Sequence, residues 1–504
     1  VSASSPSRPK SRPGSAILLA LTVLLGGLEA AKLWAFAAGA PAVRAYDAAR
    51  YWQLGEQVAS GDVWMVRDAV AYRTPGYPWC LGLVQLTAGE SAWRAVVVLQ
   101  YAAVGLTTLM TAWGAWRLSG GWGGACAATA VCVVSAARAS HASVLLSESL
   151  FIPVWTLAVC GLTADDGFSR RGHTALVAAS WCTACLLRPV ALAVVPAWLL
   201  AWWWWVREAP RRGSTQPRWW EPIVITLAVA AALCGPWIVR NGLLFGRPTL
   251  TVFLGREMWM ATFGPGAPPA PSLPETPDAR RLRELLSTRE AEVDARNNWA
   301  VSHGLCAAGL SDAQADDLMR RVAWQAVLRD PVRALLRWAG RSVDFWRAVY
   351  SRSQTFYGDT PVPEPLPAGY WNHASCTRFR DGWLDHAWES RLLTVELTSL
   401  AAGLGLAGLW LSPTRFRSAA VLTVVIFSTA LVTSALEYPN YRYRMVLEPV
   451  LIMAAVAGWQ VLYDVLRRGV AALWQEGQQA NPEAGSSEPL QMARQVSRQD
   501  KRDK

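Results

Sequence analysis

Long runs with almost no charged residue recur along the whole chain, and such runs can be buried in quantity only in a lipid bilayer. They fall at roughly 15–37, 91–113, 123–138, 146–163, 174–187, 189–206, 222–239, 392–411, 419–436 and 445–465. Most approach the ~20 residues that a helix needs to cross the hydrocarbon layer. Of the 504 residues, 52% are hydrophobic and only 17% charged, where a soluble domain carries about a quarter. The expected fold class is therefore an all-α polytopic membrane protein with about ten transmembrane helices. A further apolar piece, 75–88, carries "PGYP" and reads as re-entrant or interfacial.

The basic residues set the orientation. Arg8, Lys10 and Arg12 precede the first run; Arg170 and Arg171 follow the fourth; Arg207, Arg211, Arg212 and Arg218 follow the sixth. Arg415 and Arg417 follow the eighth, and Arg467 and Arg468 the tenth. All lie on one side if the runs alternate, and that side is cytoplasmic. The net charge of +11 is accounted for by these flanks and the two tails, so it does not point to nucleic acid. "WWWW", Trp202–Trp205, ahead of Arg207 fits an interfacial aromatic belt. The first run reads as a retained anchor, since no small-residue cleavage site follows it.

This orientation divides the chain into a cytoplasmic N-terminal tail (1–14), an N-terminal transmembrane module (15–239) containing a first outer loop (38–90), an extracytoplasmic segment (240–391), C-terminal transmembrane helices (392–466) and a cytoplasmic tail (467–504), polar and disordered from about Gln475. The extracytoplasmic segment opens with the Pro-rich "GPGAPPAPSLPETP" and then shows helical patterns at 278–297 and 311–329. Ser311 and Gln314 occupy capping-box positions at the start of the second. Of the nine cysteines, only Cys306 and Cys376 fall in that polar segment; a disulfide between them is compatible with an oxidising compartment, but the sequence does not pair them.

Charged residues at the outer ends of the runs are the candidates for chemistry. In "YDAARYW", helical spacing sets Asp47, Tyr51, Leu54 and Val58 on one face, with Glu56 opposite. Asp47 is then either a helix N-cap or a general base at the membrane surface. "TPGYP", Thr74–Pro78, is a rigid turn, and with Tyr51, its neighbours Arg73 and Tyr77 are candidate substrate-loop residues. Glu148, in "LLSESLF", opens the fourth run at the same depth as Asp47. It either complements the helix dipole or joins Asp47, so that the pair could share a metal or divide acid and base roles. Arg188, Arg240, Arg442 and Arg444 stand at outer ends of runs. Each could anchor its helix by snorkelling; together they could grip a phosphate. Glu29 and Lys32, three apart within the first run, are expected to neutralise each other. The five histidines show no metal-binding spacing, and neither a Walker loop nor a dinucleotide fingerprint is present.

In order along the chain, "YDAARYW", "TPGYP", "AVVVLQYAAVG", "LSESLF", "RPVAL", "PWIVRNGLLFG" and "RYRMVLEP" resemble the membrane glycosyltransferases of the GT-C class, in the group of the bacterial protein O-mannosyltransferases and the lipid A aminoarabinose transferase. "LMRRVAWQAVLRDPVRALLRWAGRSVDFW" resembles the outer helices of that group. The resemblance runs over most of residues 15–465. It implies a catalytic first extracytoplasmic loop, a polyprenyl-phosphate sugar as donor, and an inverting transfer with Asp47 as base and Glu148 as a second acid. It also implies a multi-pass protein of the bacterial inner (plasma) membrane with its active site on the extracytoplasmic side. Asp47 is followed by Ala48, so the paired Asp-Glu of the eukaryotic protein mannosyltransferases is missing, and the acceptor is left open among glycan, lipid and protein. No cofactor is demanded; a divalent metal stays an open alternative.

The expectation is thus a glycosyltransferase of the bacterial cell envelope in which Arg188, Arg240, Arg442 and Arg444 hold the donor phosphate. A transporter or flippase of a lipid-linked glycan is the competing class. It would bind the same phosphate without bond chemistry, and it would be expected to show internal repeats and mid-bilayer polar groups.

Overall fold

A computed structural model describes residues 13–40, 47–135, 137–164, 168, 170–208, 218–264, 268–287, 297–347, 395–436 and 441–480. Among these residues the chain is a set of helices joined by turns and loops. Among the described residues, each of the ten apolar runs overlaps helix. Five helical stretches are long and apolar enough to cross a membrane: Gly14–Gly39, Gly76–Ser119, Pro189–Glu208, Phe416–Leu436 and Glu448–Leu473. A sixth is formed if the pair Glu221–Leu233 and Gly235–Phe245, bent by 51°, counts as one span. The chain is thus a multi-pass membrane protein.

In chain order the helices of the bundle are α1 (Pro13–Gly39), α2 (Asp47–Ala59), α3 (Gly76–Ala88), α4 (Ala92–Ser119), α5 (Trp122–Val134), α6 (Ala137–His141), α7 (Glu148–Leu162), α8 (Arg171–Leu187), α9 (Val195–Glu208), α10 (Glu221–Leu233) and α11 (Gly235–Phe245). An intervening segment supplies α12 (Leu254–Phe263), α13 (Pro277–Ser287), α14 (Asn298–Ala307), α15 (Asp312–Arg329) and α16 (Pro331–Arg347). The bundle then resumes with α17 (Val395–Trp410), α18 (Phe416–Leu436), α19 (Tyr441–Met445) and α20 (Glu448–Ala480). The runs behind α5, α7 and α8 form helices of 13, 15 and 17 residues, short for a full crossing; α17 is described over 16 residues from Val395. For α5 the reason is visible. Its end lies inside the bundle, where Lys32 Nζ donates to the carbonyls of Cys132 (2.9 Å), Val133 (3.1 Å) and Ser135 (2.9 Å), placing a cation at the negative end of the helix dipole. Lys32 also pairs with Glu29 at 2.6 Å, as the spacing in the first run predicts. The last helix continues through Arg467 to Ala480, so the expected tail begins as helix; residues 481–504 lie outside the described residues.

Small residues let the bundle close. At the crossing of α17 and α20, a Cβ on Gly458 would lie 1.6 Å from the Gly405 carbonyl oxygen, and one on Gly405 would lie 2.5 Å from Ala455 Cα. The backbones touch as in other small-residue membrane crossings. Gly458→Ala is expected to destabilise the protein by about 3 kcal/mol, at the upper end of overpacking costs. Thermal unfolding in detergent checks this against Gly469→Ala, where an added Cβ meets nothing within 4 Å.

The segment from α12 to α15 has its own small core of Trp259, Phe263, Leu282, Leu305, Leu318 and Met319. The expected capping box at Ser311 and Gln314 is present at the start of α15. Asp316 on that helix accepts from the backbone N–H groups of Gly255 (3.0 Å) and Arg256 (2.9 Å), capping α12. The segment joins the bundle where Ala71 N–H donates to Asp312 at 2.9 Å and Val252 N–H donates to the Ala71 carbonyl at 2.8 Å. Cys306 is a free thiol; Cys376 lies outside the described residues, as do His373 and His386.

Candidate active site

Asp47 is the first residue of α2, and the helix lies flat on α3. Gly55 and Gly82 make that approach possible: a Cβ on Gly55 would lie 2.8 Å from Leu81 Cβ, and one on Gly82 2.9 Å from the Gly55 carbonyl oxygen. Ala48, Tyr51, Leu54 and Gly55 are buried by this packing. Tyr51 meets Tyr77 edge to face at 5.0 Å. The Tyr77 hydroxyl donates to Gln100 Oε1 at 2.6 Å, and Gln100 Nε2 donates to the carbonyls of Ala142 (2.7 Å) and Val144 (2.9 Å). One line of contacts therefore ties the helix that carries Asp47 to the turn that leads into Glu148. Tyr77 is fully buried and acts within this scaffold, while Tyr51 reaches the cavity wall.

The "TPGYP" turn does a second positioning job. Thr74 Oγ1 donates to the Leu187 carbonyl at 3.0 Å, and a Cβ on Gly76 would lie 2.8 Å from the Leu186 carbonyl oxygen. The turn is seated on the end of α8, which brings Arg73 and Arg188 to the same rim.

The charged residues form one connected network there. Arg73 is ion-paired with Asp47. Arg442, on α19, pairs with Asp47 at 3.2 Å and also with Glu148. Glu148, wholly buried at the start of α7, takes Arg188 at 2.6 Å as well. Asp47 and Glu148 are thus bridged by one guanidinium and flanked by two more. Burial raises the Asp47 pKa, but Arg73 and then Arg442 outweigh it and hold the carboxyl below its ordinary value of 3.8. The donor set does not suit a metal, because both carboxylates are already matched by arginines; among the described residues no group of three or more His, Cys, Asp or Glu side chains could hold an ion.

The other two arginines are placed elsewhere. Arg240 is buried and donates to backbone carbonyls of the 47–75 region: Trp64 (3.0 Å), Met65 (2.6 Å) and Val70 (3.2 Å). It clamps that loop, including Met65 with its positive φ of 49°, and does not line the cavity. Arg444 donates to Ser399 (2.8 Å) and Thr398 (3.2 Å) and pairs with Glu448 at 3.3 Å. It locks α17 to α20. Neither joins Arg188 and Arg442.

The network stands at one end of a cavity of about 1030 Å³. Away from it the walls are apolar, with Val190, Leu192, Pro196, Val432 and Leu436 from the segment 189–196 and α18. The third wall comes from the 254–347 segment, through Leu254, Glu257, Met260, Asn298 and Trp299. Motif reading misses this wall, because nothing in "NNWA" distinguishes it from a helix start; Asn297 is indeed the N-cap of α14. His141 is missed as well. Burial, then Arg442 and Arg188, push its pKa down to about 3, so it is a neutral group beside the network.

Fold and site together define a polytopic helical membrane protein with a cavity lined by an ion-pair network and by apolar side chains. No family model and no curated protein matches the chain. Among solved structures it is similar to the archaeal oligosaccharyltransferase AglB from Archaeoglobus fulgidus, in complex with an inhibitory peptide and a dolichol-phosphate (12% identity, 93% of this chain, 52% of that chain, TM-score 0.46). It is also similar to ArnT from Cupriavidus metallidurans, in the apo state (15% identity, 87% of this chain, 77% of that chain, TM-score 0.36) and bound to undecaprenyl phosphate (13% identity, 89% of this chain, 77% of that chain, TM-score 0.33). The chain spans about half the length of AglB. These TM-scores lie below 0.5, so function is argued from the site's own geometry.

Proposed function

We propose that the chain is an integral membrane glycosyltransferase that moves a sugar from a polyprenyl-phosphate carrier to an acceptor, with inversion, on the extracytoplasmic face of a bacterial inner membrane. The observation that carries this reading is the joined network of Asp47, Glu148, Arg73, Arg188 and Arg442 at a cavity whose walls from the segment 189–196 and α18 are largely apolar. A ligand that fits it has a long apolar tail and an anionic head, which is the chemistry of a lipid-linked phosphate.

Arg188 and Arg442 would take the phosphodiester oxygens in forked hydrogen bonds. Drawing Arg442 toward phosphate weakens its hold on Asp47, whose basicity then rises when the donor is bound. Asp47 accepts the proton of the acceptor hydroxyl or amine as that atom attacks the anomeric carbon. The bond from that carbon to the phosphate oxygen breaks, and its electron pair stays on the phosphate, where the guanidinium groups stabilise the charge. Glu148 serves as the buried counter-charge that keeps Arg188 and Arg442 converged.

The test is incubation of purified protein with a sugar-labelled polyprenyl phosphate and an extract of candidate acceptors. Stoichiometric appearance of free polyprenyl phosphate and labelled acceptor is the expected result. Tight binding with no bond cleavage under any acceptor would replace the enzyme with a carrier.

A further inference from the structure

A second cavity, of about 210 Å³, lies at the far end of the bundle from Asp47 and is lined by Arg117, Gly120, Thr163, Arg415 and Ser418 among others. Helix α7 sets the separation. Glu148 is its first residue and Thr163 follows its last, so its 15 residues hold the two sites roughly 22 Å apart. On the orientation set by the basic flanks, this end is the cytoplasmic one. Three helices meet here. Arg117 sits in the last turn of α4, and the Ser418 hydroxyl, in the first turn of α18, donates to the Thr163 carbonyl at 3.3 Å. Arg415 Nη1 donates to the Arg117 carbonyl at 3.0 Å, and a Cβ on Gly120, the left-handed cap of α4, would lie 3.1 Å from Arg415 Nη2.

The two arginines there have capacity to spare. Both are half-buried, and neither has an ion pair among the described residues. Arg117 donates once, to the Cys160 carbonyl at a long 3.4 Å, and Arg415 once, to Arg117. A guanidinium carries five N–H groups, so about four on each are left for other acceptors. Arg117 also lies 5.0 Å from the Trp113 centroid, a contact that uses the face of the guanidinium and leaves its in-plane N–H edge. The C-terminal ends of α4 and α7 bring roughly half a negative charge each. Set against two guanidinium groups, they leave about one positive charge uncancelled. The neighbouring surface is aromatic: Trp116, Trp410 and Phe416 are 39%, 39% and 40% exposed, as suits side chains at headgroup level.

We propose that this cavity binds the phosphate of an anionic lipid from the leaflet opposite the charged network, with Arg117 and Arg415 donating to its oxygens. Basic pockets between spanning helices suit such headgroups, and the exposed aromatic side chains lie where the lipid's chains would leave the site. The bound lipid joins the ends of α4 and α7 to the turn between α17 and α18. The site stands apart from Asp47 and needs no transfer reaction, so it would be present in an enzyme and in a carrier alike.

The experiment counts lipids on the full-length protein by native mass spectrometry, with phosphatidylglycerol or phosphatidylcholine titrated into wild type, Arg117→Gln, Arg415→Gln and Arg117→Lys. Wild type is expected to hold one phosphatidylglycerol at least about tenfold more tightly than phosphatidylcholine, the margin of one charge-assisted hydrogen bond. Each Gln variant should lose that preference, while Arg117→Lys, which keeps the charge, should retain most of it. Equal binding of the two lipids by wild type overturns the site without recourse to any variant. Gln variants that keep the wild-type count and affinity also overturn it, because the lipid then sits elsewhere, as on the network around Asp47. Millimolar inorganic phosphate should leave the lipid in place; displacement would make this a site for a free anion and overturn the lipid assignment.

Discussion

Asp47→Asn is expected to lower sugar transfer by at least about a hundredfold, the usual range for removing a general base, with the protein still folded and membrane-inserted. The substitution keeps the shape of the side chain at the first position of α2 and removes its charge. Donor affinity should hold or rise, because Arg73 and Arg442 lose a competing carboxylate. That split, kcat down and donor Kd not weakened, separates a base from a residue that only supports the fold. Retained transfer in the variant would end the mechanism proposed for Asp47. The pH dependence follows from the same contacts. Because the carboxyl is held below 3.8, its stabilising contribution is present above that value and is lost as pH falls through the lowered folded pKa. The free enzyme should show no Asp47 titration in the neutral range. Once phosphate draws Arg442 away, the acid limb of kcat should sit at higher pH than that of kcat/KM.

Arg442→Ala should be the most damaging of the arginine substitutions, because among the described residues this side chain alone touches both carboxylates. Removing one partner of a buried pair costs about 3 kcal/mol or more, here moderated by Arg188, which still reaches Glu148 at 2.6 Å. Unfolding in detergent and binding of polyprenyl phosphate should both suffer, the latter by about a hundredfold for a lost charge-assisted fork. Glu148→Gln should cost less in the Arg442→Ala chain than in wild type, since one of the two guanidinium partners it would lose is already gone. A coupling above about 1 kcal/mol between the two substitutions is expected; additivity within about 0.5 kcal/mol would mean that the two groups do not act as a unit.

What could be read in the residues divides along physical lines. Apolar runs announce helices because burial in lipid tolerates few charges, and each of the ten runs overlaps helix among the described residues. Their lengths were less legible, since the end of α5 is decided by Lys32 from another helix. Asp47, Glu148, Arg188 and Arg442 stood out as charges at the ends of apolar runs, and the structure joins them. Arg240 and Arg444 carried the same local signature. What separates them is the set of backbone carbonyls and hydroxyls within reach, which depends on tertiary packing alone. Arg73 was marked as a loop residue without its partner, because it meets Asp47 only after the 74–76 turn docks on α8. Asn298 and Trp299 lie far along the chain from Asp47, and a short polar run there looks like any helix start.

The ion-pair network also sets a balance sheet for whatever occupies it. Three guanidinium groups face two carboxylates, leaving one uncancelled positive charge. A phosphodiester, with its single negative charge, brings the network to neutrality. Transfer leaves a phosphomonoester dianion while Asp47 holds the acceptor's proton; once that proton is lost, the spent carrier, whose second pKa is about 6, oversupplies negative charge to the network for as long as it stays doubly ionised. On the proposed reading, turnover itself makes the spent carrier a worse fit than the loaded one, and its departure should quicken as pH rises through that second ionisation.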